Sequence, residues 1–242
     1  MKENGYAIIR GAVDPAYCAT VGSEVAEEYE RLVGAGWKFA GGGRLMGHLA
    51  FSPSHHGPQI LSLLRKSGYV AAAERFVGSP LEARAYVGNL NLPGSRKQEI
   101  HQDRYDDVSP LGDPIVFNVL IAETTAAKGA TDLIPGSASE TYRTLHSSGA
   151  LHRGVKFVGS PGDLLIRSGA VWHRGTANNS DVPRPMFGII MNPAEKPRED
   201  PPCDGPITFS ANRFYGRFAL LREIAAIYGA PLLHVKRQLT PN

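Results

Sequence analysis

Between Gly78 and Pro193 the chain is cut into short apolar runs by Gly, Pro, Asn and Asp, and this punctuation limits the possible folds more than any other feature. Seven runs read as strands: Glu82–Gly88, Glu99–Asp103, Ile115–Ala122, Val155–Val158, Asp163–Ile166, Ala170–Trp172 and Met186–Met191. None is long enough to make a stable helix, and strands this short and closely spaced bury their apolar side chains by closing into a sandwich or barrel. The count best suits a mainly β fold with flanking helices, a double-stranded β-helix of the jelly-roll, cupin-like kind. The 27 Gly and 18 Pro fit many turns and are too few for a collagen-like or disordered chain.

Outside that region the apolar spacing is helical. Gly5–Arg10 reads as a short strand, and Asp14-Pro15 has the form of a helix N-cap followed by proline at the first helical position. Val21, Val25, Tyr29 and Leu32 then recur on one helix face. The Gly-, Ser- and His-rich stretch from Gly34 to Pro58 is long enough to be a functional loop or lid. A second helix is expected from Pro58 to Phe76, and a last one from Arg213 to Tyr228. At 242 residues the expectation is one domain over 1–242, with a helical part at about 14–77, a jelly-roll core at about 80–192 and a terminal helix at about 213–228.

The 26 basic and 23 acidic residues are mixed along the chain, so nothing favours a nucleic-acid partner. No run of about 18 apolar residues suggests a membrane span, and Met1 to Arg10 lacks the pattern of a signal peptide. The expected location is cytoplasmic. Cys18 and Cys203 lie far apart and form no CxxC motif, which leaves two ordinary reduced thiols.

His101-Gln102-Asp103 is the first chemical signal. Residues at i and i+2 of an extended segment project to the same side, so an imidazole and a carboxylate can reach one ion. A third ligand must come from elsewhere, and His173 stands near the end of another candidate strand. Two His and one carboxylate would take one face of an octahedral iron(II) ion and leave adjacent positions open. Eleven residues beyond His173, Arg184 opens the next strand, where its guanidinium can pair with a carboxylate beside the metal. A surface His–Asp contact and a solvated arginine are the plain alternatives. So are a cupin-type binding protein without activity and a zinc hydrolase, although no HExxH motif supplies the base such hydrolases need.

Five stretches carry a resemblance: Gly5–Gly11, Gln98–Asp103, Gly129–Ser137, Gly162-Asp163 running to Trp172-His173-Arg174-Gly175, and Asn179-Ser180 with Arg184. In order and spacing the chain resembles the phytanoyl-CoA dioxygenase family of iron(II)/2-oxoglutarate oxygenases. That resemblance implies a double-stranded β-helix, with His101, Asp103 and His173 as iron ligands and Arg184 on the distal carboxylate of 2-oxoglutarate. It also implies Fe(II), 2-oxoglutarate and O2 as cofactor and co-substrates, and oxidation of a small molecule, with hydroxylation as the leading outcome. Asp103 closes the halogenase route, in which Gly or Ala replaces the carboxylate. Ala138 departs from the His often found there in the family, at a position that binds no metal. Asn118 is a candidate contact to the co-substrate, and Arg104, Tyr105 and Arg44 are candidate substrate contacts. Tyr86, His48, His55, His56, Arg174 and Arg213 are weaker candidates for the pocket border or its entrance.

Overall fold

The computed structural model describes residues 1–34, 56–103 and 112–195. Its first elements are β1 (Tyr6–Ile9), α1 (Pro15–Gly34), α2 (Gly57–Lys66) and α3 (Tyr69–Val77). The Asp14 carboxylate accepts the Ala16 N–H at 2.9 Å, the capping bond expected at the start of α1. Cys18, Val21 and Val25 bury one face of that helix. The single helix expected over Pro58–Phe76 is two, because Gly68 takes a left-handed φ of 77° between them. Ile60, Leu61 and Leu64 of α2 and Val70 and Ala73 of α3 join the core of α1.

The strands that follow are β2 (Leu81–Asn91), β3 (Ile115–Leu120), β4 (Thr131–Leu133), β5 (Val155–Phe157), β6 (Leu164–Ser168), β7 (His173–Gly175) and β8 (Arg184–Pro193). Between β4 and β5 lies a short helix, α4 (Tyr142–Ser147), with its Thr141 capping box. Neither β4 nor α4 is in the list expected from sequence, because three residues of strand and six of helix show no clear period. The expected strand at Glu99–Asp103 is an isolated bridge at His101, and Ala170–Trp172 is a turn leading into β7.

All pairings are antiparallel. One sheet runs β1-β6-β3-β8-β2 and the other β5-β4-β7, the jelly-roll arrangement of two facing sheets. Side-chain alternation divides the larger sheet cleanly. Phe117, Val119, Leu164, Ile166, Phe187, Ile189 and Met191 face the helices. Leu120, Leu165 and Met186 face the smaller sheet and meet Leu133 and Phe157. Tyr86 belongs to the helix side, stacked on Phe187 with ring centroids 6.4 Å apart, so it does not border a pocket between the sheets. Among the described residues no helix is long and apolar enough to cross a membrane.

Candidate metal centre

Segment 98–103 is laced to the run 169–175 by backbone bonds. Gln98 N–H donates to Gly175 O at 2.9 Å, His101 and His173 exchange reciprocal bonds at 2.9 Å, and Asp103 N–H donates to Gly169 O at 2.7 Å. The Gln98 side chain adds a bond from Gly175 N–H at 2.7 Å. A Cβ on Gly169 would overlap the Asp103 carbonyl and meet Pro114 Cγ at 2.7 Å, so this close approach requires glycine. Ser137 holds the other flank, its hydroxyl donating to Ile134 O at 2.6 Å and accepting Trp172 N–H at 3.0 Å.

This lacing brings His101, Asp103 and His173 together, with one ligand atom from each within 4.8 Å of the others. Asp103 Oδ1 lies 3.8 Å from His101 Nε2, and Oδ2 lies 3.4 Å from His173 Nε2. Both rings are oriented from behind in the same way. His101 Nδ1 bonds Glu99 O and His173 Nδ1 bonds Val171 O, each at 2.9 Å, so Nδ1 carries a proton and each Nε2 is turned toward the space beside Asp103. Burial, and then the neighbouring His173, lower the His101 imidazole to about 3, which leaves it neutral at physiological pH. Burial alone would raise the Asp103 carboxyl, but the Arg167 guanidinium and His173 hold it well below the usual carboxylate range. Two imidazoles oriented from behind and an ionised carboxylate converging on one point make a donor set suited to a divalent cation such as iron(II).

Arg184, at the start of β8, is 1% exposed. Its Nη2 donates to Gly129 O at 2.7 Å, while Nε and Nη1 are buried and have no hydrogen-bond partner among the described residues. Burial lowers its pKa to about 10, so it remains a cation at neutral pH. Donors of this kind fit an incoming carboxylate. Asn118, buried on β3, lies in register between Leu165 of β6 and Gly188 of β8, on the same inner face as Leu120.

Other sequence candidates have different placements. Arg174 points away from the triad and pairs with Asp132 at 3.0 Å, and Trp172 Nε1 donates to Glu140 O at 2.7 Å. His56 sits between α1 and α2, bonded to Tyr17 at 3.0 Å and paired with Glu24 at 2.9 Å, which is a structural role. Arg44, His48, His55, Arg104, Tyr105, Arg213 and the expected helix at 213–228 lie outside the described residues. Sequence reasoning missed Arg167, whose Nη2 donates to Asp103 Oδ2. The signal was a charged residue inside an otherwise apolar strand, which the expected run Asp163–Ile166 stopped one residue short of including.

The chain matches the family described as phytanoyl-CoA dioxygenase over residues 1–186. It is 28% identical to dioxygenase andF of Emericella variicolor over 212 residues, covering 80% of this chain and 72% of that one. Among solved structures, EctD from S. alaskensis with 2-oxoglutarate and 5-hydroxyectoine superimposes with a TM-score of 0.61 at 18% identity, covering 83% of this chain and 82% of that one. The epimerase SnoN in complex with Fe3+, alpha ketoglutarate and nogalamycin RO gives 0.57 at 20% identity, with 80% of each chain covered. The family match spans most of the chain and includes the segments that build the triad, so the chain belongs to the phytanoyl-CoA dioxygenase family and is a 2-oxoglutarate-dependent non-haem iron dioxygenase.

Proposed function

We propose that this dioxygenase oxidises a C–H bond of a small molecule of secondary metabolism, with hydroxylation as the outcome, and that His101, Asp103 and His173 hold its iron. Arg184 takes the distal carboxylate of 2-oxoglutarate, and Asn118 contacts the same co-substrate from β3. The convergence of two oriented imidazoles and one ionised carboxylate is the observation that carries this reading. Bound iron, with 2-oxoglutarate and dioxygen, supplies the oxidising power for C–H cleavage and leaves succinate and carbon dioxide.

The protein's own part is positioning. The Nδ1 bonds keep both Nε2 atoms aimed inward, so the ligand set needs little rearrangement to bind metal. The Nε and Nη1 of Arg184, buried and without a partner among the described residues, give a carboxylate a charge-assisted anchor in a site shielded from water. The face of the larger sheet that carries Leu120, Leu165 and Met186 supplies an apolar wall behind the polar groups. Biosynthetic enzymes among the structural neighbours, including the non-heme alpha ketoglutarate dependent epimerase SnoN from nogalamycin biosynthesis, support a secondary-metabolite substrate.

Anaerobic addition of iron(II) and then 2-oxoglutarate should produce a weak visible charge-transfer band. His101→Ala and His173→Ala should abolish that band and all turnover. Arg184→Ala should raise the 2-oxoglutarate requirement on the order of 100-fold while metal binding stays nearly intact. A protein that binds zinc tightly and ignores 2-oxoglutarate, or an Arg184→Ala variant that loses only its metal, would contradict these assignments.

A further inference from the structure

Arg167 lies in β6 opposite Val116 of β3 and Tyr6 of β1, on the strand face that also carries Leu165. It is 5% exposed. One corner of its guanidinium donates to Asp103 Oδ2, the oxygen that also lies near His173. Its Nε and Nη1 are buried with no hydrogen-bond partner among the described residues. Arg184 on β8 is in the same state, with one filled corner and two buried, unpaired nitrogens. The two arginines therefore stand on the two strands that flank β3, with Asn118 on the strand between them.

A buried cation with unfilled donors is costly unless an anion completes it, and a rigid planar fork is suited to carboxylate oxygens. Formal charge shows how many anions are needed. Iron(II), Arg167 and Arg184 together contribute four positive charges, and Asp103 offsets one. The 2-oxoglutarate dianion offsets two more and leaves one positive charge among these groups. Arg167 shares the Asp103 carboxylate with the metal, and its Nε and Nη1 remain without a partner among the described residues.

On this basis we infer that Arg167 is a second carboxylate anchor at the metal centre, and that the substrate is a small acid whose carboxylate docks on it. The inference rests on the ligand assignment proposed above. The same carboxylate chemistry has two sources, the metal-side carboxylate of 2-oxoglutarate and that of a substrate, and the charge count favours the substrate.

The test uses the full chain loaded with cobalt(II) and read by titration calorimetry, so no turnover is needed. First 2-oxoglutarate is titrated; then acetate, propionate and benzoate are titrated into the ternary complex, each beside its uncharged amide. Expected is binding of at least one acid with a preference of tenfold or more over its amide. Arg167→Gln should erase that preference and change 2-oxoglutarate affinity less than threefold, and Arg184→Ala should do the reverse. Arg167→Met, which keeps the length of the stem, replaces the Gln variant if that variant fails to retain cobalt. A tenfold loss of 2-oxoglutarate affinity in the Arg167 variant, with no acid preference in the wild type, would keep the anchor and assign it to the co-substrate, overturning the substrate claim. Unchanged affinities for 2-oxoglutarate and for the acids in the Arg167 variants would overturn the inference altogether. Wild-type protein that fails to bind cobalt(II) and 2-oxoglutarate would instead remove the ligand assignment on which the inference rests.

Discussion

Gly129 shows how a residue without side-chain chemistry sets the position of a buried guanidinium, that of Arg184. It adopts a φ of 77°, and a Cβ there would overlap the Asn91 amide. Its carbonyl accepts both Arg184 Nη2 at 2.7 Å and Asn91 Nδ2 at 3.2 Å. Gly129→Ala is therefore strained twice, once in the backbone and once against Asn91, at a cost of about 1–3 kcal/mol. The displaced carbonyl would no longer hold Arg184, so 2-oxoglutarate binding should weaken more than metal binding. Parallel calorimetric titrations of cobalt(II) and 2-oxoglutarate check this, and equal losses for both ligands would contradict the positioning role of Gly129.

At the scale of elements, the turn between β5 and β6 is tied to the end of β1 through Asp163. That carboxylate accepts Arg10 Nη1 at 2.6 Å, Gly11 N–H at 2.9 Å and Ser160 N–H at 3.1 Å. Burial would raise its pKa, but the bonds from Arg10, Gly11 and Ser160 outweigh this and lower it below 3.8. A carboxyl depressed on folding stabilises the native state above its unfolded pKa, and the contribution is lost as pH falls through the folded value. Asp163→Asn should thus destabilise the protein by about 1–3 kcal/mol at neutral pH. The difference from wild type should shrink as the medium is acidified below the ordinary carboxylate range. Urea unfolding at several pH values measures it, and a gap that widens in acid would refute the linkage.

For the whole molecule, the triad joins two regions that only folding brings together, so metal should stabilise the native state and leave the unfolded chain unaffected. At a free concentration about 100 times Kd, the stabilisation is about 2.7 kcal/mol. For a chain of this size that corresponds to a rise in Tm of roughly 5–11 °C. Differential scanning calorimetry with cobalt(II) should show this rise for the wild type and little of it for His173→Ala. Burial of Tyr86, Phe117, Phe187 and the aliphatic side chains between the larger sheet and the helices supplies the bulk of the apolar stabilisation that supports the site, at about 1.5–3 kcal/mol for each large side chain.

Sequence alone determined the β-rich class, the helical start and the donor types, because these rest on local periodicity, turn chemistry and the identity of His101, Asp103, His173 and Arg184. Elements too short to show a period, β4 and α4, were not legible, and the break at Gly68 was hidden within a continuous apolar pattern. Only the tertiary structure decided which groups stand behind the triad. The carbonyls of Glu99 and Val171 that fix the imidazole tautomers, and Arg167 across 64 positions from Asp103, become neighbours through strand pairing and backbone placement. Contacts between segments so far apart depend on how the sheets close, and local residue patterns do not encode that directly.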